Sequence, residues 1–155
     1  MRKLITGIDD EGRSCVVEES EVVTAAVEGI PGFAMQPLYR TEQSPPPARP
    51  PALADFVDVQ LAPGLLRWAV IDHAPYGAHL EGSTTATLHH TDTLNLVIVQ
   101  SGTVELLLQA GNRMLEPGDC VVMPGIDHAY RAGPEGCRLV AISVGTPPPT
   151  ATSSG

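Results

Sequence analysis

Ten short apolar runs, at residues 3–7, 14–18, 33–40, 65–72, 95–100, 103–108, 113–115, 120–123, 128–131 and 138–144, alternate with turn residues along nearly the whole chain. Runs this short and this numerous specify an all-β antiparallel sandwich or barrel. Aromatic residues are only 4% of the chain, so the core rests on Val, Leu, Ile and Ala, and the β-branched ones favour strands. Asp9-Asp10-Glu11-Gly12, Ser101-Gly102, Ala110-Gly111-Asn112 and Pro117-Gly118-Asp119 supply the reversals expected between strands. Only residues 19–28 fit a helical period, and Val22, Val23 and Val27 fit a strand period as well. No more than one or two helical turns are expected.

A chain of 155 residues suits one core. The proline-rich stretch around Pro45-Pro46-Pro47 and Pro50-Pro51 cannot donate a sheet ladder and reads as an extended linker. The expected organisation is N-terminal strands or a flap over 1–42, a linker over 43–52, a barrel over 53–145 and a flexible tail over 146–155. Net charge is −9, with the nine Lys and Arg scattered singly, which argues against a nucleic-acid surface. No run approaches the roughly 20 apolar residues of a membrane span, so a cytoplasmic protein is expected. Cys15, Cys120 and Cys137 lack CxxC spacing and read as reduced thiols.

The histidines carry the chemistry. Side chains alternate faces along a strand, so His89 and His90 point to opposite sides. If His89 faces the interior it brings Thr91, Thr93, Asn95 and Val97 with it, a polar floor running into an apolar wall. If His90 faces in, it brings Asp92, Leu94, Leu96 and Ile98. The first set is the better pocket. His128 and Tyr130 share a face of a later strand that barrel closure would bring opposite His89. His73 and His79 fall in a 73–87 connection rich in small residues, suited to a loop at the pocket mouth.

His89-His90-Thr91-Asp92-Thr93-Leu94-Asn95-Leu96, Gly102, Pro117-Gly118-Asp119, Gly125 and His128-Ala129-Tyr130-Arg131 together resemble the two motifs of small single-domain cupins of specialised metabolism. The resemblance implies a double-stranded β-helix, or jelly-roll barrel, with an N-terminal strand or arm, and a homodimer. Metal-binding cupins carry His-x-His, Glu and a later His at what are positions 89, 91, 95 and 128 here. This chain has His89, Thr91, Asn95 and His128, a ligand set with only two imidazoles that His90, His79 or Asp92 would have to complete.

The leading expectation is a small-molecule enzyme working by acid–base chemistry on a carbonyl-bearing, polyketide-like substrate: a dehydratase, cyclase, isomerase or decarboxylase. His89 or His128 would move the proton, Asn95 and Thr91 would donate to an oxyanion, and Tyr130 would donate to a leaving oxygen. Thr93 and Val97 would line the substrate. The second expectation is a dioxygenase or lyase with one divalent iron, zinc or nickel on His89 and His128. The third is a non-catalytic ligand-binding barrel.

Overall fold

The computed structural model describes residues 1–26, 28, 34–77 and 87–149. The strands are β1 (Arg2–Ile8), β2 (Ser14–Glu21), β3 (Ala25–Ala26), β4 (Ala34–Met35), β5 (Asp55–Phe56), β6 (Leu66–His73), β7 (His89–His90), β8 (Thr93–Leu107), β9 (Arg113–Leu115), β10 (Cys120–Pro124) and β11 (Ala129–Gly145). The main sheet runs β2-β1-β10-β8-β11-β6, with β9 also paired to β8. No helix occurs among the described residues. Within the ambiguous 19–28 window, residues 19–21 end β2 and Ala25–Ala26 forms β3.

Two long strands organise the sheet. β8 pairs with β10 through Leu94–Ile98 and with β9 through Val104–Leu106, while β11 follows it along nearly its full length. The change of partner falls at Gly102, where the ladder to β11 slips between Ala132 and Cys137. Ser101-Gly102 therefore runs on within one continuous strand, paired to Arg138 and Cys137, and is not the expected hairpin; the extra residues of the bulge, 133–136, lie on β11. Gly102 sits at φ +70°, and a Cβ there would stand 2.1 Å from the Gly136 carbonyl oxygen. Only glycine satisfies both the backbone conformation and the close approach. Leu4, Val99, Val104, Leu106, Leu115 and Leu139 fill the core beneath this crossing.

The N-terminal strands extend the same sheet. β1 runs parallel to β10, with Leu4 opposite Val121, and β2 folds back antiparallel on β1. Residues 2–21 thus share the barrel's ladder and core. The stretch expected as a linker also lies against the barrel: Arg49 reaches Asp92 at 2.6 Å, and the Leu53 and Ala54 amides donate to Asp127 Oδ2 at 2.7 and 3.1 Å. β5 then pairs with β7, and the Val57 amide donates to the His90 carbonyl. Prolines lack an amide donor but leave the flanking amides free to pair, which is how a proline-rich segment docks without forming a long strand. The tail likewise begins anchored. The Thr146 amide donates to the Asp92 carbonyl and its side chain is buried; residues 150–155 lie outside the described part.

The outward face of β6 presents Leu66, Trp68 and Val70, with Trp68 75% exposed. Their cross-strand neighbours on β11 are Val144, Ile142 and Val140, and the next row on β8 is Leu94, Leu96 and Ile98. β6 has a strand partner on one side only among the described residues.

Replacing Gly102 by Ala should destabilise the protein by about 2 kcal/mol or more, because the new Cβ meets backbone and not a movable side chain. Chemical denaturation of the variant at neutral pH measures this, and an unchanged midpoint would refute the crossing geometry.

Candidate functional site

A cavity of about 260 Å³ lies against β6, β7, β8, β10 and β11. His89, Thr91, Thr93, Asn95, Val97, His128 and Tyr130 all line it, joined by Arg67, Ile71, His73, Met123 and Ser143 among others. The period-2 alternation of 89–97 explains the first five. His89 and His128 meet as a directly opposed antiparallel pair: each amide donates to the other's carbonyl, at 3.1 and 2.9 Å. That pairing sets both side chains on the same face, with ring centroids 4.8 Å apart. Tyr130 follows at 5.7 Å from His128, and His73 at 5.5 Å from Tyr130. Four rings therefore form a continuous edge along one wall.

The rest of the lining includes a ladder row. Arg67 on β6 is opposite Ser143 on β11, Ser143 is opposite Asn95 on β8, and Asn95 is opposite Met123 on β10. Ser143 Oγ donates to Asn95 Oδ1 at 2.7 Å, which orients the carboxamide and leaves its Nδ2 hydrogens for other acceptors. Thr91 and Thr93 share a hydroxyl hydrogen bond of 2.6 Å.

The imidazoles are held in a defined tautomer. His128 Nδ1 lies 2.8 Å from the Ile126 carbonyl and His89 Nδ1 lies 3.1 Å from the Thr87 carbonyl. A carbonyl only accepts, so both Nδ1 atoms carry the proton and both Nε2 atoms keep the lone pair. Burial pushes the His128 pKa down to about 4, with His89 adding to the shift and the Ile126 carbonyl opposing it. Burial also lowers His73 and raises Tyr130, which stays a phenol at neutral pH. The Tyr130 hydroxyl donates to Met123 Sδ at 3.6 Å, a weak acceptor that a ligand oxygen would readily displace.

His90 is not part of this cavity. It is buried on the other side of β7, against Phe56 at 5.5 Å and with Nδ1 3.5 Å from Asp127 Oδ1. Asp92 is ion-paired with Arg49. Neither residue completes a metal site with His89 and His128, because strand alternation sends His90 and Asp92 outward together. His79 lies outside the described residues. Among the described residues no three His, Cys, Asp or Glu side chains converge as a metal cage. Two imidazoles with Thr91 and Asn95 do not fit the donor sets of catalytic zinc or non-haem iron.

Sequence reasoning missed Arg67 and Ser143 and expected His73 in a loop at the pocket mouth, whereas His73 ends β6 and lines the cavity; the signal was present, since Arg67, Ile71 and His73 share one face of β6 by the same alternation. It also missed Asp127, whose carboxylate gathers the docked 53–54 segment.

The His128 shift predicts a stability dependence. The folded state disfavours the imidazolium, so the stabilisation is complete above the unfolded-state value near 6.5 and declines as pH falls toward about 4. Over that window it amounts to about 3 kcal/mol. Denaturant titrations from pH 7 to 4 should show His128→Gln losing distinctly less stability than the parent, and parallel curves would contradict the buried, neutral imidazole.

With the geometry set out, comparison with known proteins adds one match and one negative. Residues 70–153, just over half of the chain, match the family model of the AraC-like ligand binding domain. A search of curated proteins finds no match.

Proposed function

From the membership of this chain in the AraC-like ligand binding domain family, a cupin-type jelly-roll family, we propose that it takes a small carbonyl-bearing molecule into its barrel and moves a proton on it. Ligand binding follows from the family and all-β architecture from the strands. The proton chemistry is our reading. It rests on one observation above the others: two opposed imidazoles, each with Nδ1–H tied to a backbone carbonyl and Nε2 bare, lining a partly apolar cavity.

In this reading His89, the less buried of the pair, takes and returns the proton. His128 stays neutral at physiological pH and offers its lone pair to a ligand hydroxyl or enol. Asn95 Nδ2 and the Thr91 hydroxyl supply donors for developing negative charge on oxygen. Tyr130, held as a phenol, donates but does not act as a base. Val97, Leu139 and Ala141 give the substrate an apolar bed. Enolisation, dehydration, cyclisation and decarboxylation all use this set.

A non-catalytic ligand-binding role is favoured by the low pKa of His128, which makes it a poor proton acceptor. Screening carbonyl compounds for both binding and turnover separates the two readings. For an enzyme, His89→Ala should lower kcat about 100-fold or more while Kd changes far less. Binding without turnover, with Kd the only quantity that His89→Ala alters, would establish the binding role instead.

We also propose a cytoplasmic homodimer. Cys15, Cys120 and Cys137 are all free thiols, as suits a reducing compartment, and no helix among the described residues is long and apolar enough to cross a membrane. The exposed Leu66, Trp68 and Val70 stripe on β6, which has a strand partner on one side only among the described residues, is the apolar surface that a second copy would cover through a two-fold contact. Gel filtration should give about twice 16.3 kDa, falling to one chain mass in Trp68→Asp. A monomeric parent protein would refute this assembly.

A further inference from the structure

The charges of this molecule are distributed unevenly with respect to the cavity. The chain carries eighteen Asp and Glu against nine Lys and Arg. Eight of the nine cationic side chains are ion-paired to a carboxylate. Arg67 is the exception among the described residues, and it lines the cavity. Conversely, no Asp or Glu lines that cavity among the described residues. In a chain with twice as many acids as bases, the one cation left without a carboxylate among the described residues therefore lines the histidine cavity.

We infer, building on the barrel-binding reading above, that the ligand is a small carboxylic acid whose carboxylate seats between Arg67 and Asn95 at the cavity mouth. Arg67 is exposed and Ser143 stands between it and Asn95, so the two donors flank a span of about two strand spacings, roughly 10 Å. The long guanidinium side chain closes much of that distance. Arg67 now donates to the Val59 carbonyl at 2.7 Å through one amino group, leaving further donors on the fork. Asn95 has its oxygen occupied by Ser143, so it presents N–H and not C=O. Both groups are donors, which matches an acceptor-only ligand group.

Charge favours carboxylate over phosphate: one guanidinium matches a monoanion, and no second Lys or Arg lines the cavity among the described residues to balance a dianion. The rest of the ligand then extends across Val97, Ala141 and Leu139 toward the ring edge of His89, His128 and Tyr130. In this pose Asn95 holds the carboxylate, so the Thr91 hydroxyl is the donor left for the oxyanion at the carbonyl that the imidazoles address. The 260 Å³ space limits that body to a compact skeleton, at the small end of ligand pockets. With the carboxylate fixed, the remote charge sets orientation and the imidazole edge sees one end of the molecule only.

The test uses matched acid and amide pairs of equal shape: isobutyrate and isobutyramide, benzoate and benzamide, cinnamate and cinnamamide. Binding to the full chain is read by calorimetry, and the seat by shifts of the His89 and His128 ring resonances. At least one acid should bind about tenfold or more tighter than its amide. Arg67→Gln should bring that ratio close to one, and Arg67→Lys should retain part of it. Asn95→Asp, which adds a carboxylate with Arg67 intact, should also abolish the preference and serves if Arg67→Gln folds poorly. Acids and amides binding equally, or a preference that survives Arg67→Gln, would overturn the carboxylate assignment while leaving barrel binding standing. If no probe of either kind moves the histidine resonances, barrel binding of compact carbonyl compounds and this inference fall together.

Discussion

The pairing of β8 with β11 is the constraint on which the rest of the molecule depends. These two strands share a ladder from Thr93–Gly145 at one end to Leu107–Ala129 at the other, and every element of the main sheet reaches the core through one of them or through β10. A ladder that long does not stay flat, because strands twist and a bulge adds to the twist. The Gly102–Gly136 contact places that bulge where β8 exchanges β10 for β9 as its partner. The cavity lies on this strand pair: Thr93, Asn95 and Val97 of β8 and Tyr130, Leu139, Ala141 and Ser143 of β11 line it.

The histidine pair is held by backbone, not by its own side chains. Mutual amide-to-carbonyl bonds between His89 and His128 fix the positions from which both rings project. Behind them, the docked 49–57 segment braces the opposite face through Arg49–Asp92, the amides on Asp127, and β5 on β7. His90 and Asp127, both buried on that side, are thus part of what keeps His89 still. A proline-rich stretch earlier in the chain in this way becomes the back support of the site.

The electrostatics of the cavity follow from burial and from which charges are left out. Desolvation pushes His128 and His73 toward the neutral imidazole and holds Tyr130 as a phenol. Arg67 is the fixed charge among the lining residues, and on the carboxylate reading it orients the ligand.

Strand alternation, turn chemistry and low aromatic content are enough to read an all-β chain, and the period of two puts His89, Thr91, Thr93, Asn95 and Val97 on one face. Local rules could do this because the direction of neighbouring side chains on a strand depends only on backbone geometry. They failed where the outcome depended on a distant partner. Ser101-Gly102 has the composition of a hairpin turn, yet it runs on within β8 because Arg138 and Cys137, distant in the chain, pair with it. The proline stretch has the composition of a linker, yet it docks because Asp92 and Asp127 meet it. Arg67 is one of nine scattered cations in the sequence, and only the tertiary structure shows eight of them neutralised and this one turned toward the cavity. The sequence by itself determined which residues share a face; tertiary packing decided which faces meet and which charges are left without partners, because those depend on closure of the barrel and not on any local periodicity.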